Sequence, residues 1–317
     1  MAALVAAVLL HGTLQAQQME SARDLLSRMA KASKELNYQG LVTYEYQGNL
    51  STVKVVHVVR DGETFERVIH LDGPEEEIIR RGDSLDCLRT GDMLLRGGVV
   101  KISNDSYSHL EDFYDFYIKG EGRIAGRAVK VVYIMPKDKH RYGYILAIDK
   151  ESGLMLQSVL MNHAGKPLER FQFSDIHIGA VLDDADFLPE KVGSQVIDVD
   201  TSSCLKKGEL IEVPDTDWKI NWIPPGFMLA SHHPAGSDGQ ETMMFTDGLA
   251  VFSLFIDSSQ SSMLPQVDAK LGATVAVLTK ADFNNRQYAV CVVGEIPRIT
   301  AHRVAEALSP IGDSRIE

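Results

Sequence analysis

Tyr117 to His177 reads YIKGEGRIAGRAVKVVYIMPKDKHRYGYILAIDKESGLMLQSVLMNHAGKPLERFQFSDIH, and this stretch decides the fold. It divides into five runs rich in β-branched, aromatic and aliphatic residues: Tyr117–Ile124, Arg127–Pro136, Tyr142–Asp149, Met155–Asn162 and Leu168–His177. The breaks between them carry turn residues: Ala125-Gly126, Pro136 to Arg141, Lys150 to Gly153 and His163 to Pro167. Strands this short, closely spaced and with nothing helical between them, specify an antiparallel sheet and exclude βαβ alternation.

The same pattern extends upstream. Gly40 to Tyr46 alternates, Gln47-Gly-Asn49 turns, and Thr52 to Arg60 forms the next strand. Asp61-Gly62 is a strong hairpin signal before Phe65 to Leu71, which ends at Asp72-Gly-Pro74. Glu77 to Arg81 and Leu85 to Leu88 flank a further turn at Arg81-Gly-Asp83. Ahead of the strands, Met19 to Leu36 reads as a helix: Ala22, Leu25, Leu26, Met29 and Ala30 recur at helical spacing, and Ser21 can cap the start. From Gly91 to Asp115 the pattern weakens, and the aromatic-rich Tyr107 to Tyr117 reads either as a short helix or as an irregular segment.

At the very N-terminus, Ala2 to Leu10 is wholly apolar and is followed by a polar break and the small residue Ala16. That is the pattern of a secretory signal, here residues 1–16, although no Lys or Arg precedes the apolar run. The run is shorter than the ~20 apolar residues a membrane span requires. The competing reading is a buried helix opening a cytoplasmic domain. No Cys stands beside the cleavage site to carry a lipid anchor, and no later segment is apolar enough to span a membrane.

Downstream, Asp183 to Pro189 closes a first domain over residues 17–190. The stretch Glu190 to Asp217 has no firm period and reads as a linker, placed at 191–215, with one short strand near Val196 to Val199. A second domain, 216–317, opens on Trp222-Ile-Pro-Pro-Gly-Phe227. It continues through strands at Gln240–Phe245, Ala250–Asp257, Ala273–Thr279 and Gln287–Gly294. Thr300 to Leu308 is a closing helix with Thr300 as N-cap and Ala301, Val304, Ala305 and Leu308 on its apolar face. The expected fold class is therefore α+β.

A chain of 317 residues suits two domains at about 150 residues each. The net charge of -12 argues against general nucleic-acid binding, whose affinity comes largely from neutralised phosphates. Cys87, Cys204 and Cys291 are far apart and lack metal-ligand spacing. One bridged pair and three free thiols are both compatible with them.

The search for chemistry finds no nucleophile elbow, phosphate-binding loop, dinucleotide fingerprint or zinc-protease motif. No catalytic residue, metal ligand or cofactor is expected. His232-His233 reads as a solvated loop, since adjacent side chains of an extended chain point apart. Arg80 and Arg81, with Arg89 and Arg96, form a basic cluster that suits an anionic partner or pairs with the neighbouring Glu75-Glu-Glu77 run. His140-Arg141 is either an anion contact or an ordinary basic turn. Tyr44, Tyr46, Phe65, Tyr107, Phe113, Tyr114, Phe116 and Tyr117 concentrate in the first domain. They line a concave apolar pocket or fill the core of a helix-covered sheet.

Several stretches together resemble the RseB/MucB family. They are Leu36-Asn-Tyr-Gln-Gly40, Asp72-Gly-Pro74 with Ile78 to Gly82, Phe113-Tyr-Asp-Phe-Tyr117, Arg123-Ile-Ala-Gly-Arg127 and His140-Arg-Tyr-Gly143. Leu168-Glu-Arg-Phe-Gln-Phe173, the Trp222–Phe227 stretch, Asp247-Gly-Leu249 and Val293-Gly-Glu-Ile-Pro297 complete the set.

The resemblance implies a large N-terminal half-open β-barrel around helices, like the lipoprotein carriers LolA and LppX, and a smaller C-terminal α/β domain. It also implies a periplasmic negative regulator of the envelope-stress sigma factor (sigma-E/AlgU). Such a regulator binds the periplasmic domain of an RseA/MucA-like anti-sigma factor, keeps a site-1 protease from it, and is released by lipoprotein or lipopolysaccharide. On this reading acyl chains would meet Tyr44, Tyr46, Phe65, Phe113 and Phe116, and anionic headgroups Arg80, Arg81 and His140. The partner would meet the second domain, with Trp222 and Phe227. Homo-oligomers are left open. A periplasmic lipoprotein carrier or chaperone is the alternative function.

Overall fold

Alternating Val and aromatic residues set up the first strands, and their pairing is observed in a computed structural model. It describes residues 21–60, 63–74, 76–81, 107–179, 195–198, 216–237, 239–257, 266–283 and 286–311. The apolar run at 2–10, the Asp61-Gly62 tip, Leu85–Leu88, Arg89, Arg96, Cys87, Cys204 and most of the linker lie outside those residues. Cys291 is a free thiol.

Helix α1 (Ala22–Glu35) begins at a reciprocal cap. The Ser21 hydroxyl accepts from the Asp24 N–H at 3.1 Å, and the Asp24 carboxylate accepts from the Ser21 N–H at 3.1 Å. Strands β1 (Tyr38–Tyr46), β2 (Asn49–Arg60), β3 (Glu63–His70) and β4 (Glu77–Arg81) form a meander. The aromatic segment resolves into helix α2 (Tyr107–Phe113) running directly into β5 (Tyr114–Ile124). Strands β6 (Arg127–Pro136), β7 (Gly143–Asp149), β8 (Met155–Met161) and β9 (Pro167–Ile178) follow.

β9 pairs with β1, which joins the two meanders into one sheet of order β10-β4-β3-β2-β1-β9-β8-β7-β6-β5. Among the described residues β10 (Gln195–Asp198) is the one parallel neighbour, pairing with β4. β5 and β10 are both edges, so the sheet is an open barrel. Leu25, Leu26, Met29 and Ala32 of α1 share one core with Val42, Val55 and Val68 of the first meander and Val132, Ile134, Leu146 and Phe173 of the second. The helix thus lies on the face that both halves of the sheet bury.

The second domain is a six-stranded antiparallel sheet of order β12-β13-β14-β17-β16-β15. Its strands are β12 (Met228–His233), β13 (Gln240–Thr246), β14 (Val251–Asp257), β15 (Val267–Leu271), β16 (Thr274–Phe283) and β17 (Arg286–Gly294). Helix α3 (Arg298–Glu306) packs on β16 and β17, and β11 (Trp218–Ile220) pairs with β18 (Leu308–Pro310).

Three expectations are corrected here. His232-His233 belongs to β12, and His232 is paired: its Nε2 lies 2.8 Å from Glu241 Oε1. The cap of α3 is Pro297, so Thr300 sits within the first turn, buried, with its side chain turned to the first domain. Leu308 leaves the helix and enters β18, yet still packs in the second core. Strand β15 was not foreseen because every one of its residues is exposed, so no hydrophobic alternation marks it.

Candidate functional site

Two basic residues in the β6–β7 loop, His140 and Arg141, organise the junction between the domains. Arg141 is fully buried. Its Nη1 donates to Asp247 Oδ2 at 2.7 Å, and its Nη2 donates to the Pro225 carbonyl at 2.5 Å and lies 3.0 Å from Asp138 Oδ2. The guanidinium also faces the Phe113, Tyr114 and Phe227 rings at 4.8, 5.4 and 5.2 Å. A charge removed from water must be met by protein groups, and here both domains supply them.

Asp247, in the β13–β14 turn, is equally enclosed. Besides Arg141 its carboxylate accepts from the Tyr114 hydroxyl at 2.8 Å and from the Leu249 and Ala250 N–H groups at 2.9 and 2.8 Å. Burial and the Asp247 charge together hold the Tyr114 hydroxyl well above its ordinary range.

Trp222–Phe227 forms the plug on the second-domain side. Phe227 N donates to the Pro224 carbonyl at 3.2 Å, with Pro225 and Gly226 (φ +86°) at the centre of the turn. That is a type II geometry, which needs the left-handed backbone glycine adopts freely. Glycine is needed a second time, because a Cβ there would run into the Phe113 ring. Beside the turn, the Trp222 ring meets the His140 ring edge-on at 5.0 Å and carries the Arg303 guanidinium at 3.9 Å. His140 Nδ1 lies 3.2 Å from Thr300 Oγ1, which also bonds the His140 carbonyl. Burial, and then the positive charge of Arg303, push the imidazole below its ordinary range.

A third set of contacts lies on β9. Glu169 accepts from the Tyr44 hydroxyl at 2.5 Å and, across the junction, from the Ala273 N–H at 2.7 Å. At the β1–β2 turn, Gln47 donates to the Lys270 carbonyl at 2.9 Å. Leu249 and Ala273 of the second domain pack into the core of the first. The junction is therefore a continuation of that core.

The junction gathers seven of the residues singled out in the sequence: Tyr44, Phe113, Tyr114, His140, Arg141, Trp222 and Phe227. Tyr46 stacks on Tyr44 at 5.5 Å, and Phe116 packs against the main core next to Tyr114. Phe65 packs apart from them, with Val56 and Val58. Arg80 and Arg81 lie on β4 beside β10, and their side chains are outside the described residues. Asp247 and Glu169 were missed as site residues, whereas Arg141 was read as either an anion contact or an ordinary basic turn. Yet each falls in a stretch that carries the family resemblance, and so do Phe113, Tyr114, His140 and the Trp222–Phe227 plug. Among the described residues no group of three or more His, Cys, Asp or Glu side chains could hold a metal ion. No helix among them is long and apolar enough to cross a membrane.

Comparison with known proteins covers both domains. The family model for the MucB/RseB N-terminal domain matches residues 21–191, and that for the MucB/RseB C-terminal domain matches residues 212–309. The sigma factor AlgU regulatory protein MucB of Pseudomonas aeruginosa is 35% identical over 313 residues, 96% of each chain. The sigma-E factor regulatory protein RseB of Escherichia coli K12 is 26% identical over 300 residues, 89% of this chain and 88% of that one. The complex structure of Pseudomonas aeruginosa MucA/MucB contains a chain with TM-score 0.71 and 33% identity, covering 91% of this chain and 98% of that one. With both of its domains matched in order and an architecture shared over nine-tenths of its length, the chain belongs to the MucB/RseB family.

Proposed function

We propose that this protein is a periplasmic regulator that binds the periplasmic domain of an RseA/MucA-like anti-sigma factor, shields it from site-1 proteolysis, and is released by lipoprotein or lipopolysaccharide. One observation carries the reading. The likeness runs through both domains to MucB, whose crystal structure was solved in complex with MucA(peri). The apolar run at 2–10 and the small residue at 16 support export, with cleavage after residue 16.

In this reading residues 17–190 sense lipid and residues 216–317 carry the anti-sigma-factor contact, with a linker at 191–215. The open barrel offers aromatic side chains, among them Tyr46, Phe65 and Phe116, to acyl chains. Arg80 and Arg81 serve anionic headgroups. Phe227 is buried against Phe252. Its influence on the partner, with that of Trp222, Phe113 and His140, therefore runs through the relative placement of the domains. Lipid releases the partner only if it binds the released form more tightly than the bound form.

The test is binding of the purified mature protein to the periplasmic domain of the host's anti-sigma factor, with and without a lipidated peptide or a lipopolysaccharide fragment. The expected result is tight binding weakened about 5–150-fold by lipid, the range of ordinary allosteric coupling. Binding indifferent to lipid removes the sensing role. Lipid binding without any anti-sigma-factor binding leaves the carrier function instead.

A further inference from the structure

Glu295 sits just beyond β17, in the second domain, with its backbone N–H bonded to the Val251 carbonyl at 3.2 Å. Gly294 pairs with Val275, two residues from Ala273, so Glu295 stands at the junction, with only 5% of the residue exposed. Among the described residues no donor reaches its carboxyl. That sets it apart from the other buried acids here. Asp247 has a guanidinium, a hydroxyl and two N–H groups, and Glu169 has a hydroxyl and an N–H.

The first-domain groups in electrostatic reach of Glu295 come from three segments: Tyr44 on β1, Tyr142 and Tyr144 around the start of β7, and Glu169 on β9, which bonds the N–H of Ala273. Two cations act on Tyr142, and both have partners other than Glu295. Arg298 bonds Asp268 at 2.9 Å, and Lys270 lies 5.9 Å from the Tyr142 ring. On the second-domain side, Gly272 closes over Glu169 so tightly that a Cβ there would strike its carboxylate. Tyr44 and the Ala273 N–H make Glu169 the bonded carboxylate, and among the described residues Glu295 has no such donor.

We propose that Glu295 is the proton-dependent latch of the two-domain junction: protonated, it lies neutral against Glu169 and the domains stay closed; ionised, it drives them apart. The inference rests on the fold and does not depend on the proposed function. Two buried carboxylates, one from each domain, cannot both be charged in this space without repelling. Opening hydrates Glu295 and separates it from Glu169.

The sign follows from linkage. Burial, and then the charge of Glu169, raise the Glu295 carboxyl from 4.5 to about 8 in the closed form. In the open form it returns to the ordinary carboxylate range. The closed form therefore holds more protons between those two values. Its advantage is complete at low pH, falls by up to about tenfold per pH unit as pH rises through that window, and is exhausted above about pH 8. His140 is the opposing group. Burial holds its imidazole below the ordinary value of 6.5 in the closed form, so above that pH the latch is set by Glu295.

The experiment is amide exchange on the full mature chain, following the Ala273 N–H, which Glu169 holds across the junction. Exchange is compared from about pH 6.5 to about pH 8.5 after division by the intrinsic rate. The expected result is a loss of Ala273 protection approaching about tenfold per pH unit below pH 8, while the Leu146 and Leu156 amides in the first-domain core hold theirs. Glu295→Gln, a neutral isostere, is expected to keep Ala273 protected across the range. Constant protection in the unaltered protein overturns the proposal, and so does an undiminished loss in Glu295→Gln. Should that variant not fold, carbon NMR of the Glu295 carboxyl in the unaltered chain decides. Titration near 8 supports the latch, and titration in the ordinary carboxylate range overturns it.

Discussion

Arg141 has no solvent to turn to, so its charge depends on Asp247, Asp138, the Pro225 carbonyl and three aromatic faces. Removing one member of such a pair strands the other. Arg141→Ala is expected to cost about 3–5 kcal/mol, read as a lower urea midpoint. The Lys150–Glu121 pair, also close at 2.8 Å but about half exposed, is the control. Lys150→Ala is expected to cost less than about 1 kcal/mol, because water screens that pair and replaces it. Equal effects of the two substitutions would show that Arg141 is hydrated in solution.

The elements differ in how far local sequence specifies them. Helix α1 announces itself through its period and its capping box, and Ser21→Ala is expected to lower stability by about 1 kcal/mol in thermal unfolding. The Ser21 hydroxyl, and then the Ser21 N–H, hold the Asp24 carboxyl below its ordinary value. That contribution is present above the ordinary carboxylate range and fades as pH falls through it. No comparable signal marks the edges of the second sheet. β15 is exposed at every position, with charges at Asp268 and Lys270 that suit an edge, and it exists because β16 pairs with it. β12 carries a register shift between Leu229 and Ser231, which breaks the alternation a reader would look for. The N-cap of α3 was misplaced for a related reason. Thr300 looks like a cap in sequence, but its hydroxyl serves the His140 carbonyl in the other domain.

At the scale of the whole molecule, the domains share a core as well as an ion pair, since Leu249 and Ala273 are buried among first-domain residues. Coupling of this kind makes two domains unfold as one. The unaltered chain is expected to give a single calorimetric transition, with the van't Hoff and calorimetric enthalpies in agreement. Asp247→Asn removes the charge that meets Arg141, and two resolved transitions are expected. Two transitions already present in the unaltered chain would mean that the junction opens before either domain melts.

The strands from Tyr117 to His177, a helix within Met19 to Leu36, the family resemblance, and the order of a large sheet domain before a smaller one are legible in the residues alone. These rest on local period, turn chemistry and caps, which neighbouring residues encode. The closure of β9 onto β1, the edge strands β12 and β15, and the junction of Arg141, Asp247, Glu169 and Glu295 were decided by tertiary structure. Arg141 and Asp247 are 106 residues apart, and Tyr44 and Glu169 are 125. A charged side chain in a turn reads as solvated wherever it occurs; only when another domain covers it does it need a partner.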